Sequence, residues 1–118
     1  MIDHICLLVK NLDKSKTYYE TVFSLSGKRH PADASVYMLE NRDIHFFIME
    51  TDAPDQFIRE QHLSIEIESI EKAEKILAEC GITDYEKGIF NAFDYRNYKW
   101  IEWRDSNGIR LEFVEYIT

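Results

Sequence analysis

The chain of 118 residues holds only two cysteines, Cys6 and Cys80, with two prolines and four glycines. Two isolated thiols form neither a disulfide framework nor a zinc knuckle, so stability must come from an ordinary hydrophobic core. So little proline and glycine excludes collagen-like and low-complexity architectures. Positive charge is scarce as well: 14 Lys and Arg stand against 22 Asp and Glu, leaving a net charge of −8. That balance argues against nucleic acid or an anionic membrane as partner. No apolar run approaches membrane-spanning length, and the acidic start of "MIDHICLLVK" does not suit a secretion signal. A cytoplasmic location, where thiols stay reduced, is the expectation.

What remains is a globular composition, 45% hydrophobic and 31% charged, of a length expected to form one domain over residues 1–118. The stretch "IDHICLLV" is apolar on both alternating faces, as in a strand held between layers. His4 is therefore expected in an enclosed place, where its imidazole needs a polar neighbour or a metal.

The chain also carries a repeat. "DHICLLVKNLDKSKTYY" and "QHLSIEIESIEKAEKIL" run in register without a gap at an offset of 58 residues, with His4 matching His62 and Asn11 matching Ser69. Each copy reads as a strand and then a helix. Asn11 and Ser69 are the expected N-caps, and Gly81 ends the second helix. Tyr18, Tyr19, Val22 and Phe23 form the apolar stripe of the first helix; Ala73, Ile76, Leu77 and Cys80 form that of the second. Two hairpins follow. "SVYMLENRDIHFFIME" turns at residues 41–43, and "NYKWIEWRDSNGIRLEFVEYI" turns at 106–108, with Gly108 in the left-handed position. Further strands are expected at 28–30 and 89–95. The organisation is α+β: a βαβββ module at 1–52, a linker at 53–60, and a second module at 61–118.

In "QHLSIEIE", Leu63, Ile65 and Ile67 share one face, while His62, Ser64, Glu66 and Glu68 share the other. A half-polar face suits a cavity better than a sealed core. If the last hairpin turns over 106–108, Asp105 pairs with Ile109 and Glu102 falls opposite Glu112. Trp100 and Glu102 then share a face with Arg110, Glu112 and Val114. Two facing carboxylates repel unless a cation or proton lies between them. Glu102 is thus a candidate general base or metal ligand, with an ion pair to Arg110 as the structural alternative.

The opening "IDHICLLVKNLDKSKTYYETVF" and the closing "WIEWRDSNGIRLEFVE" resemble the vicinal oxygen chelate superfamily. It includes glyoxalase I, bleomycin and fosfomycin resistance proteins, extradiol dioxygenases and methylmalonyl-CoA epimerase. The resemblance implies two βαβββ modules whose curved sheets surround a cavity, with helices outside, and a homodimer. It implies metal ligands at His4, His62 and Glu112. Aligning "LEFVE" with "FFIME" sets Phe47 where a fourth, acidic ligand would stand, which departs from glyoxalase I and fits three-ligand members. Two imidazoles and one carboxylate suit divalent Fe, Mn, Ni, Co or Zn and leave positions open for substrate.

The function implied is metal-dependent, glyoxalase-like chemistry on a small oxygenated substrate, with Glu112 and Glu102 as the catalytic candidates. Cys6, His45, Phe47, Trp100 and Arg110 are candidates for substrate contact. One alternative is a non-catalytic binder like the bleomycin resistance proteins, for which seven Tyr, seven Phe and two Trp supply aromatic surface. Another is a fosfomycin-type thiol transferase. Against it, "YEKGIFNAFDYRNYKW" matches the cation-binding loop of those enzymes poorly, and Glu102 replaces their usual tyrosine.

Overall fold

The computed structural model describes residues 1–117. The fold is α+β, as expected, with two four-stranded mixed sheets and no closed barrel among the described residues. The chain divides into two compact units, Met1–Ile58 and a second that begins at Arg59. In the first, β1 (Cys6–Val9), α1 (Leu12–Phe23), β2 (Ser26–His30), β3 (Asp33–Glu40) and β4 (His45–Glu50) form a sheet ordered β1-β4-β3-β2. A short helix, α2 (Asp55–Arg59), follows within the stretch expected as linker. In the second, β5 (His62–Glu66), α3 (Ile70–Glu79), β6 (Glu86–Phe90), β7 (Asn97–Arg104) and β8 (Arg110–Ile117) repeat the pattern as β5-β8-β7-β6. Each module's first strand runs parallel to its last, and the other pairs are antiparallel. No helix among the described residues is long and apolar enough to cross a membrane.

The helices start where their side chains satisfy the unpaired N–H groups of the first turn. Asn11 Oδ1 accepts from Lys14 N at 3.0 Å, and Ser69 Oγ accepts from Lys72 N at 3.1 Å. A second acceptor, invisible in the linear pattern, comes from the far end of each module. Glu50 Oε1 accepts from Leu12 N at 3.0 Å, and Glu115 Oε1 accepts from Ile70 N at 2.8 Å. A carboxylate there also meets the positive end of the helix dipole. Glu115→Ala should lower stability by about 1–2 kcal/mol. Urea unfolding tests this, and an unchanged midpoint would show that the contact contributes nothing.

Each core lies between one helix and one face of its sheet. In the first unit, Tyr19 packs edge-on to Phe46 at 6.0 Å, and Val9, Leu39 and Ile48 are fully buried beside them. In the second, Ala73 and Leu77 of α3 are buried, as are Ile101, Trp103, Leu111 and Phe113 on alternate positions of β7 and β8. This alternation turns the other residues of β7 and β8 away from the helix.

Three expected boundaries are corrected. β1 begins at Cys6, so His4 precedes the strand; in the parallel register it falls opposite His45, the first residue of β4, where the pairing runs out. His4 is also exposed rather than enclosed. β2 spans Ser26–His30, with an irregularity in its pairing between Arg29 and His30. The strand expected at 89–95 lies at Glu86–Phe90, because pairing with β7 ends at Phe90 opposite Tyr98 and residues 91–96 make the connection.

The turn from β7 to β8 sets the register that matters most. Asp105 N donates to Ile109 O at 3.1 Å, and Gly108 takes φ 85°, as expected. A side chain there would also collide with Arg59, whose Cγ lies 2.7 Å from where a Cβ would sit. Asp105 is buried; its Oδ1 accepts from Asn107 N and Ile109 N, each at 2.9 Å, and its Oδ2 accepts from Asn107 Nδ2 at 3.0 Å. With the loop so held, Glu102 stands opposite Glu112.

Candidate metal centre

On the face of the second sheet turned from α3, side chains fall into rows across the strands. His62, Arg110 and Arg104 make one row. The next holds Ser64, Glu112, Glu102 and Glu86. Then come Glu66, Val114, Trp100 and Gly88, and finally Tyr116, Tyr98 and Phe90. Glutamates directly opposite one another are unfavourable without a cation among them.

Ligand atoms of His62, Glu102 and Glu112 all lie within 4.8 Å of one another. His62 Nε2 is 3.6 Å from Glu112 Oε1, and Glu112 is buried. Arg110 bridges the group: its Nη2 is 2.6 Å from His62 Nδ1, and its Nε is 3.5 Å from Glu102 Oε2. A guanidinium only donates, so Nδ1 accepts and the proton of the neutral ring sits on Nε2. Two carboxylates and one imidazole converging on a small volume fit a divalent cation in donor type and charge.

Beyond the acids, the face turns aromatic. The Trp100 indole lies across Gly88, where a Cβ would come within 2.8 Å of its Cζ2. Phe90, Phe93, Tyr95 and Tyr98 form a cluster with ring centroids 4.4–6.0 Å apart. Arg96 covers the Tyr116 ring at 3.8 Å. Phe93, Asp94, Tyr95, Arg96, Asn97 and Ile117 line a shallow hollow of about 340 Å³. Burial, then the negative charge of Glu112, then Tyr95 push the Tyr98 phenol up from its ordinary value. The aromatic wall and the acidic row therefore share one electrostatic neighbourhood.

The first unit has the same frame with different chemistry. Phe47 lies opposite Cys6 as Glu112 lies opposite Ser64, and Met38 faces Phe47 where Glu102 faces Glu112. The His4 ring stacks on Phe47 with centroids 4.0 Å apart, while His45 and His30 meet it edge-on at 5.5 and 5.8 Å. His4 Nδ1 pairs with Asp3 Oδ2 at 2.6 Å. His4, Cys6, His45 and Phe47 thus gather in the first unit, and His62, Trp100, Glu102, Arg110 and Glu112 in the second. Burial, then the charge of Asp33, push the Cys6 thiol up. In a Cys80→Ser background, Cys6 alkylation by iodoacetamide should rise with pH through a midpoint above the ordinary thiol range. A midpoint at or below that range would contradict it.

Sequence reasoning missed Glu86 and Tyr98. Glu86 depends on the position of β6 against β7, and the misplaced strand hid it. Counting pairs outward from the 105–109 turn reaches Tyr98 opposite Tyr116 and supplies the one available signal for it.

No protein-family model matches the chain, and no curated protein matches it in sequence. Solved structures do resemble it. A virulence protein from Salmonella typhimurium superposes with a TM-score of 0.77 at 18% identity, covering 99% of this chain and 97% of that one. An integron cassette protein from V. cholerae gives 0.74 at 16%, covering 99% and 95%. FosX, a genomically encoded fosfomycin resistance protein from Listeria monocytogenes, gives 0.70 at 16%, covering 98% and 92%. The chain has the vicinal oxygen chelate fold of these proteins. Identities this low carry the fold and nothing finer.

Proposed function

We propose that the protein is a divalent-metal-dependent enzyme of glyoxalase-like type, acting on a small oxygenated substrate. The convergence of His62, Glu102 and Glu112 on one sheet face carries this reading. A divalent ion held there would supply Lewis-acid polarisation of a substrate oxygen. Glu112, buried at the strand centre, fixes the geometry, and Glu102 completes the set from β7. Trp100 and the aromatic cluster offer an apolar wall for the rest of the substrate. Tyr98 keeps its proton through neutral pH and serves as a hydrogen-bond donor on that side.

The test is elemental analysis of tag-free protein purified without chelator, beside His62→Ala and His4→Ala. About one transition metal per chain, lost in His62→Ala and kept in His4→Ala, is the expected result. Loss of metal in His4→Ala would bring His4 into the ligand set, as the family resemblance implies. No metal in any sample after reconstitution would end the metalloenzyme reading.

A second reading, a non-catalytic binder of small aromatic compounds, is favoured by the exposed Phe90, Phe93 and Tyr95. It requires that ligand affinity survive Glu112→Gln, which an enzyme's turnover would not. The likeness to FosX makes fosfomycin the first compound to screen, with and without an added thiol. Assembly as a homodimer belongs to the same proposal and is read by light scattering.

A further inference from the structure

We propose that Arg110 is a resident counter-cation that a divalent ion must displace from His62 and Glu102. The inference rests on the metal reading above and adds a competitor inside the site. Three observations carry it. Arg110 Nη2 approaches His62 Nδ1 to 2.6 Å, and its Nε lies 3.5 Å from Glu102 Oε2, so one guanidinium engages two of the three donors. Glu102 and Glu112 face each other across the strand pair, and positive charge must offset their repulsion. The Nδ1 of His62 accepts from Arg110, which holds the proton on Nε2, the nitrogen that points at Glu112.

Arg110 and a metal therefore want opposite arrangements of the same groups. A ligand nitrogen must offer its lone pair. Coordination through Nε2 moves the ring proton to Nδ1, where it meets the Arg110 N–H head-on. Coordination through Nδ1 takes the position Arg110 occupies. Either way the guanidinium leaves His62. Two positive charges near one carboxylate pair also repel, so the arginine lowers metal affinity even where contact is lost. Arg110 is half-buried and its stem is flexible, which lets the guanidinium move without disturbing β8.

The consequence is a site that stays assembled without metal and accepts it only by exchange. Arg110→Met keeps most of the aliphatic stem and removes the charge; Arg110→Lys keeps a charge without the planar fork. Mn²⁺ affinity is measured on the full chain by the electron paramagnetic resonance signal of free ion. Arg110→Met should bind roughly tenfold tighter than the unaltered protein or better, and Arg110→Lys should stay within about threefold of it. Equal or weaker binding by Arg110→Met, with binding by the unaltered protein intact, overturns the exchange and leaves the metal reading standing. No binding by any of the three overturns both. Circular dichroism establishes that each variant is folded.

A second readout avoids substitution. Long-range ¹H–¹⁵N spectra of the unaltered protein should show His62 protonated on Nε2 without metal; once Zn²⁺ is added, either the proton moves to Nδ1 as Nε2 coordinates, or Nε2 keeps it and Nδ1 shifts as the coordinated nitrogen. An Nδ1-protonated ring before any metal is present would refute the arrangement on which the proposal rests.

Discussion

Glu112→Gln should lower the affinity of the proposed centre for a divalent ion roughly 100-fold or more. Even partners of metal ligands are worth 10–100-fold, so a ligand charge is expected to reach at least the upper end of that range. The change is nearly isosteric and removes one of two opposed carboxylates, so folding should survive or improve slightly. That combination is diagnostic. A variant that loses metal yet unfolds at an unchanged or higher temperature has lost a function, not a structure. Retained metal at full stoichiometry would remove Glu112 from the ligand set and shift the centre toward Glu102 and Glu86.

Asp105→Ala should produce the largest loss of stability. Its carboxylate serves Asn107 N, Ile109 N and Asn107 Nδ2 within a buried turn, and alanine leaves all three without that partner. Leaving buried donors unsatisfied costs about 1–3 kcal/mol each, so about 3–4 kcal/mol is expected after local relaxation. That corresponds to a fall of about 10–15 °C in Tm. Asp105→Asn keeps one acceptor oxygen and should cost about 1 kcal/mol. Metal affinity should fall with Asp105→Ala as well, because this loop sets Glu102 against Glu112. A variant as stable as the parent would mean that Asn107 and Ile109 find other partners.

The β7–β8 hairpin was legible in the sequence for a local reason. Asn107-Gly108 admits few turn geometries, and counting outward from it pairs Glu102 with Glu112 and brings Arg110 diagonally to Glu102. The repeat was legible because N-caps and strand alternation recur at fixed spacing. Other features depend on contacts distant in sequence. Glu50 and Glu115 cap helices 38 and 45 residues earlier, and nothing in "FIME" or "FVEY" announces it. The position of β6 follows from its partner rather than from its own weak pattern, so its boundary and Glu86's place were missed. The apolar run around His4 predicts an enclosed strand from its first residue. The strand starts later, and the imidazole rests on the Phe47 ring instead.

The link between each helix and the end of its own module bears on how the chain acquires structure. In both copies the first strand is completed by the fourth, and the first turn of the helix is completed by a glutamate on that same fourth strand. A chain emerging from the ribosome can therefore form neither element fully until the module's last residues appear. The nascent first module must wait for Glu50 with β1 unpaired and the start of α1 short of its second acceptor. Each module is a closed circuit of contacts, and an assembly ordered strictly from N- to C-terminus has no stable halfway point within it.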